Sequence, residues 1–288
     1  MNRKAIVMYS LISFSLAWIL FCLPLLIRNP QSQQWMKLSF WSIAMWAPGV
    51  AAIISTRYAL KQPLRSLNLN RIGEPKLIWI AWFIPPLLAI ATGILTWAFG
   101  LGKLDLQFTQ IKEAMQNAPG GANISPDLVV IIQIAFTLFL APLINTIFAL
   151  GEELGWRGFL LPQLLPLGQG KAILLSGAVW GIWHAPAILQ GHNYPTHPYL
   201  GVFLMIIFCV LMGSFLSWLY LRTRSPWLPA LAHGSLNATA GIPLMFFQGV
   251  DITFGGTIAS LTGWIPLALL VGWLFWSKKL AVQEPRID

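Results

Sequence analysis

Two adjacent glutamates, Glu152 and Glu153, and two histidines, His184 and His233, stand inside apolar stretches of this sequence. The remaining acidic residues, Glu74, Asp105, Glu113, Asp127, Asp251, Glu284 and Asp288, fall in loops or tails, as do His192 and His197. A carboxylate held in a bilayer costs on the order of 3 kcal/mol or more. Such groups persist when they are paired, line a wet cavity or carry out chemistry, so the four buried ones are the candidate functional set. Spacing divides their labour. Glu153 and Arg157 are four apart, share a helix face and can pair, which suits a supporting role. Glu152 projects about 100° away and is left as the reactive carboxylate. His233 and Asn237 share a face by the same spacing, and Trp180 and His184 set an indole beside an imidazole. Helix-to-helix glue would explain Glu153 and Arg157 by themselves, but is a poor account of the whole set. His192 and His197 are left out of the cluster.

The elements that position these residues follow from composition. Of 288 residues, 57% are hydrophobic and 9% charged, against about 25% charged in soluble domains, so this chain cannot cover a water-facing surface. The net charge of +9 sits in short loops and tails, the topology signal of a membrane protein, which argues against nucleic acid as a partner. Cys22 and Cys209 lie in apolar runs and form neither a CxxC pair nor a disulfide framework. The expected fold is all-α: one polytopic bundle over residues 1–288 of about eight transmembrane helices around a polar cavity. The spans fall near 6–27, 38–59, 77–99, 128–150, 171–190, 200–221, 227–248 and 257–276, each long enough for about 30 Å of hydrocarbon. Basic residues at 3–4, 57–76, 171, 222–224 and 278–286 outnumber Arg28, Lys37, Lys103 and Lys112 on the other side, so both termini are expected in the cytoplasm of a cell-membrane protein. Between spans, Leu104, Phe108, Ile111 and Met115 predict a short amphipathic surface helix, ended by Pro119-Gly120-Gly121.

Depth, at 1.5 Å rise per residue, brings the polar groups together. Counted from the same face, Glu152 lies roughly 15 Å in, His184 roughly 20 Å, His233 roughly 12 Å and Asn237 roughly 18 Å. One cavity opening to the cytoplasm would serve them all. The fourth helix then runs to Pro162, with Pro142 available to bend it. Ser225 followed by Pro226 marks the start of the His233 helix.

Three motifs appear in order. Glu152-Glu153-Leu-Gly-Trp-Arg157 is EExxxR, Trp180-Gly-Ile-Trp-His184 is [FW]xxxH, and His233-Gly-Ser-Leu-Asn237 is HxxxN. Together they resemble the CPBP (CAAX protease and bacteriocin-processing, or Abi) family, which includes type II CAAX prenyl endopeptidases. The motif core covers 150–240; residues 6–99 carry no specific signal. The resemblance implies intramembrane hydrolysis of a peptide bond in a peptide or membrane-protein substrate, of membrane-associated or prenylated type. In a metal-free scheme Glu152 is general base to a water, His184 orients that water, and His233 and Asn237 donate to the oxyanion, with Glu153, Arg157 and Trp180 in support. Zinc held by Glu152, His184 and His233 is the alternative; HExxH is missing, and no cofactor is the preferred expectation. Two other classes stay open: a non-catalytic immunity or peptide-binding protein, and a proton-coupled transporter, although no repeated halves are visible.

Overall fold

A computed structural model describes residues 1–116 and 125–280. Helix α1 (Arg3–Cys22) starts on Asn2, whose side chain accepts from the Ala5 amide, and continues as a 3-10 turn to Leu26. Helices α2 (Pro30–Ala44) and α3 (Ala47–Tyr58) together make the next crossing, and α4 (Pro75–Ala98) the third. A two-residue strand β1 (Lys103–Leu104) and helix α5 (Thr109–Gln116) follow. Helices α6 (Pro126–Ala135), α7 (Ala141–Gly155) and α8 (Leu161–Leu164) join end to end into a run of 42 residues from Pro126 to Leu167. Helix α9 (Gln169–Trp183) breaks at His184 into α10 (Ala185–Leu189). Helices α11 (Pro198–Thr223) and α12 (Trp227–Thr239), strand β2 (Phe247–Gln248) and helix α13 (Leu261–Trp276) complete the described chain. β2 pairs antiparallel with β1, Lys103 opposite Gln248 and Leu104 opposite Phe247.

The bundle is all-helical and polytopic, as expected. Among the described residues, five segments are long and apolar enough to cross a membrane: Arg3–Leu26, Pro30–Tyr58, Pro75–Ala98, Pro126–Leu167 and Pro198–Thr223. The spans expected at 171–190, 227–248 and 257–276 are shorter or interrupted. Pro186 cannot donate to the carbonyl of Ile182, and the helix breaks beside it at His184. Helix α12 ends at Thr239, and Gly241 and Pro243 lead into a 3-10 turn instead of another two helical turns. The surface helix is also shorter than its apolar spacing suggests. Leu104 is in β1 and Phe108 has a positive φ of 52°, so α5 begins only at Thr109, where Asp105 accepts from its amide at 2.8 Å. The expected stop at Pro119-Gly120-Gly121 lies outside the described residues.

The long 126–167 run contains two π-helical turns, Phe136–Leu140 and Trp156–Leu160, a distortion that often accompanies functional sites. Pro142 leaves the Leu138 carbonyl without a helical donor; Trp82 Nε1, from α4, supplies one at 2.8 Å. Glycines let the site helices approach closely, as small residues do in membrane bundles. A Cβ on Gly181 would stand 2.4 Å from Ile206 Cα, bringing α9 against α11, and one on Gly234 would stand 2.5 Å from the Thr146 amide nitrogen, bringing α12 against α7.

The two ends of the bundle are separately tied. At the end carrying Arg3, Trp227 Nε1 donates to the Leu69 carbonyl at 2.8 Å, Ser225 Oγ donates to the Arg71 carbonyl, and Gln169 donates to that of Leu280. Ser225 Oγ also accepts from the Trp227 amide at 3.2 Å, but α12 starts one residue later than expected, with Pro226 rather than Ser225 in the N-cap position. At the other end, Tyr194 Oη donates to the Ala259 carbonyl at 2.8 Å, Thr196 donates to Asp251 at 2.9 Å, and Gln190 reaches the Phe21 carbonyl at 2.9 Å.

Candidate active site

The second π turn follows directly on Glu152 and Glu153 and carries Trp156 and Arg157. Arg157 Nη1 lies 2.7 and 2.9 Å from the two oxygens of Glu153, and both residues are buried, 1% and 0% exposed. The pairing follows from the four-residue spacing. The spacing could not show the third partner: His233 Nδ1 sits 2.9 Å from Glu153 Oε1. A carboxylate only accepts, so Nδ1 carries the proton and Nε2 is the free edge of the His233 ring. The His184 Nδ1 stands 2.9 Å from the Trp180 carbonyl. A carbonyl likewise only accepts, which leaves His184 Nε2 without its proton in the neutral ring.

Glu152 is held differently. Its Oε2 accepts from Trp180 Nε1 at 2.6 Å and from Trp156 Nε1 at 3.3 Å, while no described residue donates to Oε1. Trp180 is the hub of the set: the Arg157 guanidinium lies 4.5 Å from its ring centre, with His233 at 5.3 Å and His184 at 5.7 Å. Glu152, Glu153 and Arg157 sum to one excess negative charge.

A cavity of 730 Å³ is lined by Glu152, Trp180, His184, His233 and Asn237 together. Glu153 and Arg157 stand behind it and do not line it. Asn237 is exposed to the cavity, and its amide makes no hydrogen bond to a described residue. Among the described residues, Glu152 and Lys37 are the only Asp, Glu, Lys or Arg side chains in the wall. In the sequence Lys37 is a loop charge, Asn145 carries no signal and His192 falls outside the cluster, yet all three line the cavity. Nothing local marked them. His192 is placed by its ring edge against Trp41, 5.4 Å between centres, a contact between segments about 150 residues apart. Trp156 did have a signal, four residues after Glu152.

The direction of the cavity differs from expectation. Its outer wall comes from Gln34, Lys37, Gln190, Asn193, Gly241 and Thr257, all at the end of the bundle opposite Arg3. Toward the Arg3 end the interior is filled by Tyr9, Trp156, Phe159, Phe215 and Tyr220, each at most 2% exposed. Equal depth from one face therefore did not mean access from that face, because large aromatic side chains plug the shorter route.

Zinc would need Glu152, His184 and His233 to converge. Among the described residues, no three His, Cys, Asp or Glu side chains are grouped to hold a metal ion. The free Nε2 edges would suit metal ligation, but the donor set does not fit it as arranged.

Residues 128–239 match the family model of Rce1-like type II CAAX prenyl endopeptidases. The chain is also 29% identical over 195 residues to CAAX prenyl protease 2 of Methanococcus maripaludis. That alignment covers 62% of this chain and 64% of the relative, so the chain spans about two thirds of the curated protein's length. The matched region holds all seven residues of the three motifs, so it is through the site itself that this chain is similar to the type II CAAX prenyl endopeptidases.

Proposed function

We propose that this protein is an intramembrane endopeptidase in which Glu152 activates water for attack on a peptide carbonyl. The observation that carries the proposal is the asymmetric setting of Glu152: two indoles fix Oε2, while Oε1 has no protein donor and its side chain lines the cavity beside His184 and Asn237. Water bound there loses a proton to Glu152 as its oxygen bonds to the carbonyl carbon. The lone pair on His184 Nε2 accepts the second hydrogen of that water and orients it. The carbonyl electrons move onto oxygen, where the Asn237 amide and the Nε2–H of a protonated His233 stabilise the oxyanion. Glu153 is the counter-ion of that imidazolium. When the C–N bond breaks, the proton on Glu152 passes to the leaving amine. No step requires a metal.

The substrate is a membrane-associated peptide, with the prenylated type named for the relative as one candidate. Comparison of peptide termini in membranes bearing wild-type or Glu152→Ala protein tests the function. Cleavage products confined to the wild type are expected. Equal products from both, with both proteins folded and inserted, would refute it and favour a peptide-binding role.

A further inference from the structure

The cavity direction and the basic residues, taken together, assign a side to the substrate. Arg57, Lys61, Arg65, Arg71 and Lys76 flank the link between α3 and α4, and Arg222 and Arg224 the link between α11 and α12. Arg3, Lys4, Lys171, Lys278 and Lys279 belong to the same end. Hydrogen bonds join these links into one face: Trp227 to Leu69, Ser225 to Arg71 and Gln169 to Leu280. The opposite face carries Arg28, Lys37, Lys103 and Lys112 among the described residues. Short loops rich in Lys and Arg remain in the cytoplasm. The cavity wall, from Gln34 to Thr257, lies at the other end, and buried aromatics close the route from the basic face.

We propose that the cavity opens to the extracytoplasmic side and receives its peptide from there. The substrate class is then an extracytoplasmic peptide segment, anchored in the outer leaflet or belonging to a membrane protein, rather than a peptide free in the cytoplasm. Phe21, Leu38, Phe208 and Leu236 line the cavity along with the polar residues, so an apolar anchor beside the scissile bond can be accommodated. The substrate side rests on the endopeptidase function proposed above; the cavity's orientation does not.

Single cysteines test the orientation in intact cells. Cys22, which is exposed, is first changed to serine; Cys209 is buried and stays. Gln34→Cys and Asn193→Cys report on the rim, and Lys61→Cys and Ser66→Cys on the basic face. A membrane-impermeant maleimide is expected to label the rim positions in intact cells and the basic-face positions only after permeabilisation. The reverse pattern overturns the proposal, as does labelling of both faces from outside. Rim cysteines that stay unlabelled even in permeabilised membranes also overturn it, since a substrate-accessible cavity must admit water. Labelling requires no catalysis, so inversion of this pattern with Glu152-dependent cleavage intact would remove the sidedness alone.

Discussion

His233 Nδ1 lies 2.9 Å from Glu153 Oε1, the same oxygen that receives Arg157 at 2.7 Å. Glu153 thus does two things that spacing alone separates: it neutralises a buried guanidinium on its own helix and orients an imidazole on α12. Glu153→Ala leaves Arg157 buried without its partner, a loss of about 3–5 kcal/mol. Glu153→Ala protein should therefore unfold at lower temperature and also lose activity. In Glu153→Ala/Arg157→Met, stability should recover in part while activity stays low, because His233 still lacks its acceptor. Recovery of activity with stability would contradict the orienting role.

Trp180→Phe keeps a ring beside Arg157 and His233 but removes the Nε1 donor from Glu152. A hydrogen bond to a charged group contributes about 1.5–3 kcal/mol. Thermal unfolding should show a loss of that order, and turnover should fall more than KM changes. Wild-type turnover in Trp180→Phe would show that the bond does not position Glu152.

Asn237→Ala should separate catalysis from stability. The amide has no described protein partner and faces the cavity, so stability should shift by less than about 0.5 kcal/mol. Removing one oxyanion donor typically lowers turnover about 10²–10³-fold. A drop in stability with unchanged turnover would place Asn237 in the packing instead.

Gly181→Ala tests the scaffold. Its Cβ would stand 2.4 Å from the Ile206 backbone, and the helices would have to part. Overpacking of this kind costs about 1–3 kcal/mol, and because α9 carries Trp180 up to the break at His184, activity should fall as well. Full stability and turnover would mean that α9 and α11 yield freely.

Local spacing made the Glu153–Arg157 pair and the Trp180–His184 step legible, because a helix fixes what lies four residues away. Composition made the helical membrane bundle legible. The partner of His233 was not, since α7 and α12, about 80 residues apart in the chain, are brought together by tertiary packing, including the close approach at Gly234. Nor was the cavity's direction: depth can be counted from helix rise, but the plug is assembled from Tyr9 of α1, Phe159 of the second π turn and Phe215 and Tyr220 of α11. His192 reads as a loop residue, and its place in the cavity wall goes with its ring contact to Trp41, about 150 residues away in the chain.

The central claim is that Glu152 is the base. Purified full-length protein, in wild-type, Glu152→Gln and Asn237→Ala forms of equal folded fraction, can be assayed on a farnesylated peptide with a Cys-aliphatic-aliphatic-X terminus and on membrane peptides found cleaved only in its presence, with and without exhaustive chelation. The account predicts that Glu152→Gln lowers turnover about 10²–10⁴-fold, and that chelation leaves the wild-type rate unchanged. Turnover by Glu152→Gln near the wild-type rate, or a wild-type rate abolished by chelation and restored by zinc, would contradict it.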